Sequence, residues 1–265
     1  METVKVLAVL QARTTSTRLP GKVLLPLVGA PMILRQIERI KRAKLIDKIV
    51  VATSDERSDD ELATVCQNSD VEVYRGNLDD VLDRFYHASM KYKSEQVVRL
   101  TADCPLTDPE LIDKVIAYHM DNNFDYTSNS LEPTYPDGLD VEVMSMRALN
   151  EAWNESVLPS EREHVTPFIH DNPSRYKVGH LKQEQDYSFY RWTVDEPEDY
   201  EFVKRVYELL YRLDKKFLTE NIFDLLEKNP ELSSINDKLI RNESYEASLK
   251  QDEIFRQKLE GKNNN

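Results

Sequence analysis

The chain has 265 residues, of which 40% are apolar and 31% are charged, and its formal net charge at pH 7 is −13. This composition indicates a soluble globular protein with enough chain for a substantial core, and it excludes intrinsic disorder. So acidic a protein lacks the positive surface that a nucleic-acid backbone requires, and no apolar run approaches the length of a membrane span. We therefore expect neither nucleic acid nor a membrane as a partner, although a local cluster of cations can still bind a small anion.

The cysteines and the first residues predict the cellular compartment. Cys66 and Cys104 form no C-x-x-C pair, and the sequence begins with a strand pattern rather than a signal peptide. We expect a reduced, cytoplasmic protein.

Apolar runs and amphipathic segments alternate along the first half of the chain. Val4–Leu10 is a continuous apolar run typical of a buried parallel strand, and Pro31–Arg42 carries isoleucines at helical spacing. Repeated strand–helix units of this kind predict an α/β fold, a mostly parallel sheet with helices on both faces. The further predicted strands are 48–53, 71–74 and 95–103, and the further predicted helices are 78–92, 108–122 and a segment capped by Ser58 or Asp59.

The chain from about residue 125 to residue 191 differs in character from the first half. It is rich in proline and contains two short strand candidates, 139–145 and 176–182. We interpret it as a small inserted antiparallel lobe that covers the carboxyl edge of the sheet. No linker marks a domain boundary, so residues 1–241 are expected to form one domain, with an amphipathic helix over 198–213. Residues 242–265 are expected to form a C-terminal helix and a polar tail that frays from Gly261.

The loop after the first strand carries an unusual number of cations for an acidic protein. Arg13, Arg18 and Lys22 are separated by small hydroxyl residues and a Pro-Gly pair. Open α/β sheets bind ligands beyond the carboxyl ends of their strands, and arginine grips phosphate oxygens with two parallel hydrogen bonds. We favour a polyphosphate site over the alternative, a solvated loop whose cations pair with carboxylates. The Walker A pattern fails because Val23 follows Lys22, and no G-x-G-x-x-G occurs.

Asp103 and Asp195 each follow an apolar run of the sequence. Asp103 comes directly after the fourth strand, whereas Asp108 precedes a proline in the pattern of a helix N-cap. For Asp103 alone, a turn and a metal ligand are equally weighted, and for Asp195 helix capping is a strong alternative. Mg²⁺ in proteins takes one or two carboxylates and fills its other positions with phosphate oxygens and water. Asp103 and Asp195 opposite the cationic loop are therefore candidate Mg²⁺ ligands.

Two further polar clusters are candidates for binding a polyhydroxylated substrate. Asp140 and Glu142 alternate with valines, so both carboxylates are expected on one strand face, which any edge strand also shows. Glu161, Arg162 and His164 lie in the segment EREH, which is either a salt-bridged helix start or a substrate clamp. The remaining histidines lack metal-ligand spacing and are interpreted as surface or structural residues.

The opening segment QARTTSTRLPGKVLLPL resembles the Q-A-R-x-x-S-x-R-L-P-G-K signature of the sugar cytidylyltransferases, the CMP-sugar synthetases. Within that family it is most similar to the branch of spore coat polysaccharide biosynthesis protein F. The likeness covers most of the chain, including YRGNLDDVLDRFY, RLTADCPLTDP, YPDGLDVEVM, EREHVTPFI and RWTVDEPEDY. It implies a Rossmann-like nucleotidyltransferase fold of the nucleotide-diphospho-sugar transferase type. It also implies Mg²⁺ as cofactor, and CTP and an acidic sugar as substrates.

The resemblance further implies roles for individual residues. Arg13, Arg18 and Lys22 would bind the triphosphate of CTP and, together with Asp103, would be catalytic; Asp103 and Asp195 would hold Mg²⁺. The predicted nucleotide-binding residues are Gln11, Ala12, Arg13, Arg18, Lys22, Gly76, Asp80, Arg84 and Thr101. The predicted acceptor-binding residues come from the two polar clusters and are Asp140, Glu142, Glu161, Arg162 and His164.

The implied function is CTP-dependent synthesis of a CMP-activated sugar of the nonulosonic acid type, with release of pyrophosphate, for a surface polysaccharide or glycan. The first loop lacks the R-G-G-S-K form of many sialate enzymes, and the RGNLDDVLDR segment differs from that of the 3-deoxy-octulosonate enzymes, so the sugar is left open. The alternatives are a glycosyltransferase of the same fold, a cytidylyltransferase for a non-sugar phosphate or phosphonate, and a non-catalytic scaffold. Apolar positions of the middle lobe are a candidate homodimer interface.

Overall fold

The computed structural model describes residues 4–239 and 243–263, and a seven-stranded sheet forms its centre. The strands within these residues are β1 (Val6–Gln11), β2 (Pro26–Leu27), β3 (Ala30–Pro31), β4 (Lys48–Ser54), β5 (Glu72–Gly76), β6 (Gln96–Thr101), β7 (Tyr126–Ser128), β8 (Glu142–Ser145) and β9 (Val178–His180). The order across the sheet is β5-β4-β1-β6-β8-β7-β9, and β2 and β3 form a separate hairpin. β1 pairs in parallel with β4 and β6, and β4 with β5, which confirms the predicted mostly parallel sheet.

Helices cover both faces of the sheet. They are α1 (Met32–Ile40), α2 (Asp60–Gln67), α3 (Val81–Tyr92), α4 (Pro109–Asp121), α5 (Met146–Glu155), α6 (Pro159–His164), α7 (Pro167–His170), α8 (Pro197–Leu210), α9 (Thr219–Lys228) and α10 (Glu243–Asn263), with 3₁₀ turns at Lys22–Leu24, Arg57–Asp59 and Pro230–Ile235. Alternate residues of β1 enter two different apolar clusters, Ala8 and Leu10 one and Leu7 and Val9 the other. Both faces of the strand are therefore buried, which explains why its sequence is apolar without interruption.

The antiparallel lobe predicted from the middle of the chain is present, and it extends the main sheet. β8 is antiparallel to both β6 and β7, and β7 pairs in parallel with β9. The hairpin of β2 and β3 and the helices α5 and α7 are absent from the predicted elements, whereas α6 contains the segment EREH, for which a helix start was one of the two alternatives. The hairpin strands, α6 and α7 are too short to give a periodic pattern of their own, and packing against the rest of the protein stabilises them.

The C-terminal segment is helical further than the sequence predicts. The helix α10 extends to Asn263, into the segment from Gly261 that was expected to fray, and residues 264–265 lie outside the described residues. The boundary near residue 241 also falls outside them, so the division into a domain and a C-terminal segment stays a prediction. Over residues 4–239 and 243–263, no helix combines the length and the apolar character needed to cross a membrane.

A buried histidine makes the stability of this fold depend on pH. His119 in α4 is 1% exposed, and its ring nitrogens lie 3.0 Å from the Thr127 hydroxyl and 3.1 Å from the Gln96 side-chain oxygen. Burial lowers the pKa of His119 to about 4. Between that pKa and the unfolded value near 6.5, the unfolded chain binds a proton that the folded chain does not. This contribution to stability is fully present above the unfolded pKa and declines as the pH falls toward the folded one.

We expect His119 to lower the free energy of unfolding by about 2 kcal/mol between pH 7 and pH 5. Urea denaturation at the two pH values measures this difference. The variant His119→Gln should show a flatter pH dependence, whereas His87→Gln, at a side chain that is 44% exposed, should not. An equal pH dependence in the wild type and in His119→Gln would contradict the assignment.

Candidate active site

The central strands β1 and β6 end beside a cavity of about 320 Å³, here called the first cavity. Five segments line it: the loop after β1, β6 with its following turn, residues 137–140, the end of α6 at residues 163–164, and the chain before α8 around residues 191–195. β4 lies on one side of β1 and β6 on the other, which makes this the switch point at which open α/β sheets bind ligands.

The loop after β1 has a defined conformation because its own backbone and one buried aspartate hold it. Gly21 has a φ of 71°, a left-handed conformation that suits glycine, and its N–H donates to the Thr14 carbonyl over 2.8 Å. The Asp59 carboxylate accepts the Thr14 N–H over 2.7 Å and the Thr14 hydroxyl over 2.8 Å. Asp59 also accepts the N–H and the hydroxyl of Ser54. The loop is therefore tied to the end of β4.

The prediction that Ser58 or Asp59 caps α2 is confirmed for the position of Asp59 but not for its hydrogen bonding. Asp59 occupies the N-cap position, but its side chain makes no capping hydrogen bond, and the residue is fully buried. Burial alone raises the pKa of Asp59, but hydrogen bonds from Ser54 and Thr14 bring it below its usual value. A helix cap and an anchor for a distant loop have the same local sequence pattern, so only the long-range contact separates them.

Lys22 lies on the wall of the first cavity with all three of its donors paired. Its ammonium nitrogen is 2.8 Å from an Asp195 oxygen, 3.3 Å from an Asp103 oxygen and 2.8 Å from the Val194 carbonyl. Burial lowers the pKa of Lys22, but the charges of Asp103 and Asp195 bring it above its usual value. Lys22 therefore stays protonated and places its positive charge between the two carboxylates.

The two arginines of the loop line the same cavity but differ in their pairing. Arg18 lies 3.0 Å from an Asp195 oxygen and 3.5 Å from a Glu196 oxygen. Arg13 is exposed, and it makes no ion pair with any residue that the structure describes. The structure thus brings together the three cations that the sequence singles out. The other predicted nucleotide-binding residues on this cavity wall are Gln11, Ala12 and Thr101.

Asp103 follows β6 and is surrounded by hydrogen-bond donors. Burial raises the pKa of Asp103, but the charge of Lys22 and a hydrogen bond from Thr101 bring it down to about 2. Its backbone carbonyl accepts the Val194 N–H over 2.7 Å, which ties the end of β6 to the chain before α8. Asp108, by contrast, accepts an N–H from the first turn of α4 over 2.9 Å and caps that helix, as predicted.

Asp195 does not cap the helix that follows it. The side chain of Asp199 does so, since it accepts the backbone N–H groups of Asp195 and Glu196 over 3.0 Å each. The Asp195 carboxylate instead lines the first cavity, where it pairs with Lys22 and Arg18. The capping alternative for Asp195 is therefore wrong.

Arg191 and Asp137 also line this cavity, and the sequence analysis missed both. Arg191 lies 2.8 Å from Asp199, 3.3 Å from Asp195 and 3.4 Å from Asp137. Gly138 permits this approach, because its φ is 102° and a Cβ there would lie 2.4 Å from a backbone nitrogen of the neighbouring segment. The D-G pair at 137–138 is a turn signal, but no local pattern relates it to residue 191.

A second cavity of about 330 Å³ adjoins the first. Asp140 and Glu142 line it, whereas Val141 and Val143 are buried in the core, as the alternation predicts. The residues that line both cavities are Arg99, Thr101, Asp140 and His164.

Glu142 and Arg99 form a buried ion pair at the second cavity. Glu142 also accepts the Tyr126 hydroxyl over 2.5 Å and the Thr166 hydroxyl over 2.7 Å. Burial raises the pKa of Glu142, but the charge of Arg99 brings it below its usual value. The Nε of Arg99 is buried and has no hydrogen-bond partner among the described residues. One guanidinium donor is therefore unsatisfied in a side chain that lines both cavities.

Five predicted binding residues are not in the lining of either cavity: Gly76, Asp80, Arg84, Glu161 and Arg162. Arg84 is 1% exposed and donates to two carbonyls of the loop before α3. Asp80 caps α3 and pairs with Arg162, and Glu161 accepts two N–H groups at the start of α6. These contacts stabilise loops and helix ends, and a binding role for the five residues stays a prediction.

The donor set of Asp103 and Asp195 fits a divalent cation. Both carboxylates lie within 3.3 Å of one ammonium nitrogen, so the fold already holds positive charge between them. Carboxylate oxygens suit Mg²⁺, which completes its coordination with phosphate oxygens and water. In the part of the chain that the structure describes, no group of three or more His, Cys, Asp or Glu side chains could hold a metal. A metal bound here therefore needs further ligands from a substrate or from water.

Comparisons with known proteins agree with this geometry. A model of the cytidylyltransferase family matches residues 7–252. The chain is 39% identical over 248 residues to the uncharacterized protein MJ1063 of Methanocaldococcus jannaschii, with 91% of this chain and 98% of that protein covered. It is 34% identical over 236 residues to the spore coat polysaccharide biosynthesis protein SpsF of Bacillus subtilis, with 86% and 97% covered. A solved cytidylyltransferase from Leptospira borgpetersenii is 33% identical, with a TM-score of 0.83, and covers 90% of this chain and 100% of its own.

These matches confirm the Rossmann-like nucleotidyltransferase fold. They also confirm the resemblance to the cytidylyltransferases that the opening motif indicates. The matched residues run from β1 through the cationic loop, Asp103 and Asp195 into α10. A glycosyltransferase and a non-catalytic scaffold are thereby disfavoured. The chain belongs to the cytidylyltransferase family, and it is a CTP-utilising nucleotidyltransferase of the CMP-sugar synthetase kind.

Proposed function

We propose that the protein joins CMP to an acidic sugar of the nonulosonic acid type for the synthesis of a surface polysaccharide or glycan. A hydroxyl oxygen of the sugar loses its proton to water and bonds to the α-phosphorus of CTP, the bond from that phosphorus to the bridging oxygen breaks, and pyrophosphate leaves. The observation that carries the proposal is the first cavity. It brings Arg13, Arg18 and Lys22 to the same wall as Asp103 and Asp195.

The roles follow from where charge develops in this reaction. Arg13 and Arg18 line the cavity and would bind the triphosphate, and cations placed against phosphate oxygens offset the charge that grows on the leaving group. Asp103 and Asp195 would hold Mg²⁺, which when bound adds positive charge beside the phosphates. Lys22, whose three donors are paired with Asp103, Asp195 and the Val194 carbonyl, would contribute its positive charge beside the phosphates.

The second cavity is the proposed acceptor site, since it adjoins the first along β6. Its hydroxyl-bearing and carboxylate side chains suit a polyhydroxylated sugar. The sugar carboxylate would pair with the guanidinium of Arg99, a side chain that lines both cavities. Use of CTP is consistent with a cytoplasmic location, and both cysteines are free and buried. A homodimer through the middle lobe remains a prediction.

Pyrophosphate release measured over a panel of nucleotides and acceptors tests the proposal. The acceptors are N-acetylneuraminic, legionaminic, pseudaminic and 3-deoxy-octulosonic acids, a neutral hexose, a sugar phosphate and a phosphonate. We expect turnover with CTP and Mg²⁺ and with an acidic sugar. Turnover only with the sugar phosphate or the phosphonate would show that this compound, and not an acidic sugar, is the acceptor.

Removing the anchor of the cationic loop is expected to weaken CTP binding. Asp59→Ala leaves the Thr14 N–H and the Ser54 hydroxyl without their acceptor, which costs about 1–3 kcal/mol of stability and frees the loop. The KM for CTP should rise by about 10-fold or more, because a mobile loop must be ordered on binding, while the KM for the acceptor changes less. Steady-state kinetics measures both, with Asp60→Ala at an exposed neighbour as control. An unchanged KM for CTP would show that Asp59 does not order the loop.

A further inference from the structure

The C-terminal helix contributes to the wall of the second cavity. Tyr245 of α10 lines this cavity together with Asp140, Thr166 and His170, which come from distant parts of the chain. Its ring packs edge-on against His164, with the ring centroids 5.1 Å apart. Tyr245 therefore lies at the proposed acceptor site, with its ring against His164.

Buried polar contacts fix α10 against α6. The Asp252 carboxylate accepts the Ser160 N–H over 2.9 Å and the Ser160 hydroxyl over 2.5 Å. Asp252 is 4% exposed and Ser160 is 2% exposed. An aspartate that accepts an N–H in the first turn of a helix acts as its cap, so a residue of α10 caps α6. These hydrogen bonds require one relative position of α10 and α6, whereas two apolar helix faces could pack in several.

A second contact of α10 reaches a residue that lies between the cavities. The Ser248 hydroxyl is 2.9 Å from His164 Nε2 and donates to a Glu163 oxygen over 2.8 Å. Because that hydroxyl proton points to Glu163, Ser248 accepts from His164 Nε2–H. Burial, together with the charge of Arg99, lowers the pKa of His164, which favours the neutral ring. In this tautomer His164 Nδ1 is a hydrogen-bond acceptor, to which a sugar hydroxyl can donate.

We propose that α10 determines acceptor specificity: Tyr245 packs on the sugar, and Ser248 fixes the tautomer and orientation with which His164 binds a sugar hydroxyl. Tyr245 is then a binding residue and Ser248 a positioning residue. The inference rests on the second cavity being the acceptor site, as proposed above, but not on which sugar enters it.

The test compares steady-state kinetics of full-length variants with the panel acceptor that the wild type uses best. Tyr245→Ala should raise the acceptor KM by about 10-fold or more, the usual effect of one lost packing contact in a substrate pocket. Ser248→Ala should raise it by about 5-fold, as for one lost hydrogen bond, and Ser248→Thr should restore it. In all variants the KM for CTP and the thermal shift on adding CTP should stay as in the wild type, which shows that the fold is intact.

The control is Leu249→Ala, on the same helix at a side chain that is 43% exposed and outside both cavity linings. The acceptor KM of this variant should stay within twofold of the wild-type value. An acceptor KM within twofold of wild type in Tyr245→Ala, or an equal rise in both KM values, would overturn the inference. If the wild type uses only a non-acidic acceptor, the proposed sugar class fails and the role of α10 is measured with that acceptor.

Discussion

Asp103→Asn is expected to lower kcat/KM for pyrophosphate release by at least about 10²-fold, with the fold retained. Asparagine keeps the size of the side chain and one oxygen but removes the negative charge that faces Lys22. The pKa of Asp103 is about 2, so the wild-type carboxylate is fully ionised at neutral pH and contributes its whole charge. A coupled pyrophosphate assay with CTP and the best panel acceptor measures the loss.

Two further measurements separate an effect on chemistry from an effect on folding. Asp121→Asn, at an exposed position of α4, removes the same charge away from both cavities and should keep full activity. Mn²⁺ binding to the CTP complex, followed by electron paramagnetic resonance, should weaken in Asp103→Asn and not in the control. Unimpaired turnover in Asp103→Asn would remove this carboxylate from the mechanism.

Lys22→Met should lower kcat/KM by a similar factor, at least about 10²-fold, and should also change how the protein responds to metal. Methionine has nearly the length of lysine but no charge, so Asp103 and Asp195 lose the ammonium between them. Unsatisfied acceptors of this kind cost about 1–3 kcal/mol of stability. A divalent cation bound by the two carboxylates should recover part of this loss. We therefore expect Mg²⁺ alone to raise the melting temperature of Lys22→Met more than that of the wild type.

Two variants serve as controls for Lys22→Met. Lys114→Met, at an exposed position of α4, should match the wild type in activity and in its response to Mg²⁺. Lys22→Arg restores the charge, but a planar guanidinium cannot direct donors to Asp103, Asp195 and the Val194 carbonyl as an ammonium does, so its rescue should be partial. Activity within twofold of wild type in Lys22→Met would show that the ammonium is dispensable.

The sequence predicts the parts of this site that lie at the ends of regular elements. The apolar run of β1, fully buried on both faces, fixes where the cationic loop begins, and the end of β6 fixes Asp103. The carboxyl ends of parallel neighbours meet at one edge, so the loop and the aspartate had to be close. The motif of the loop adds the likeness to the sugar cytidylyltransferases, which the family comparison confirms.

The sequence does not predict the contacts that hold those parts in place. Asp59 binds Thr14 across 45 residues, and Arg191 reaches Asp137 across 54. Each of these residues also fits a local interpretation, a helix cap or a turn, and the local interpretation is the commoner one. Gly76, Asp80 and Arg84 illustrate the converse, because the segment that contains them has a family motif but none of the three lines either cavity. Asp80 and Arg84 order the start of α3, and the Gly76 carbonyl accepts the Asp55 N–H after β4.

With the roles proposed above for the two cavities, the position of β6 between them limits how the enzyme can acquire a new acceptor. Arg99 and Thr101 line both cavities, so an exchange at either position alters the nucleotide side together with the acceptor side. Leu131, Thr166 and His170 line the second cavity alone, and exchanges there reshape only the acceptor side. Substitutions that change the acceptor and leave the nucleotide side intact are therefore expected in the loop after β7, in α7 and in the segment between α6 and α7. The strand that serves both substrates is the least free to change.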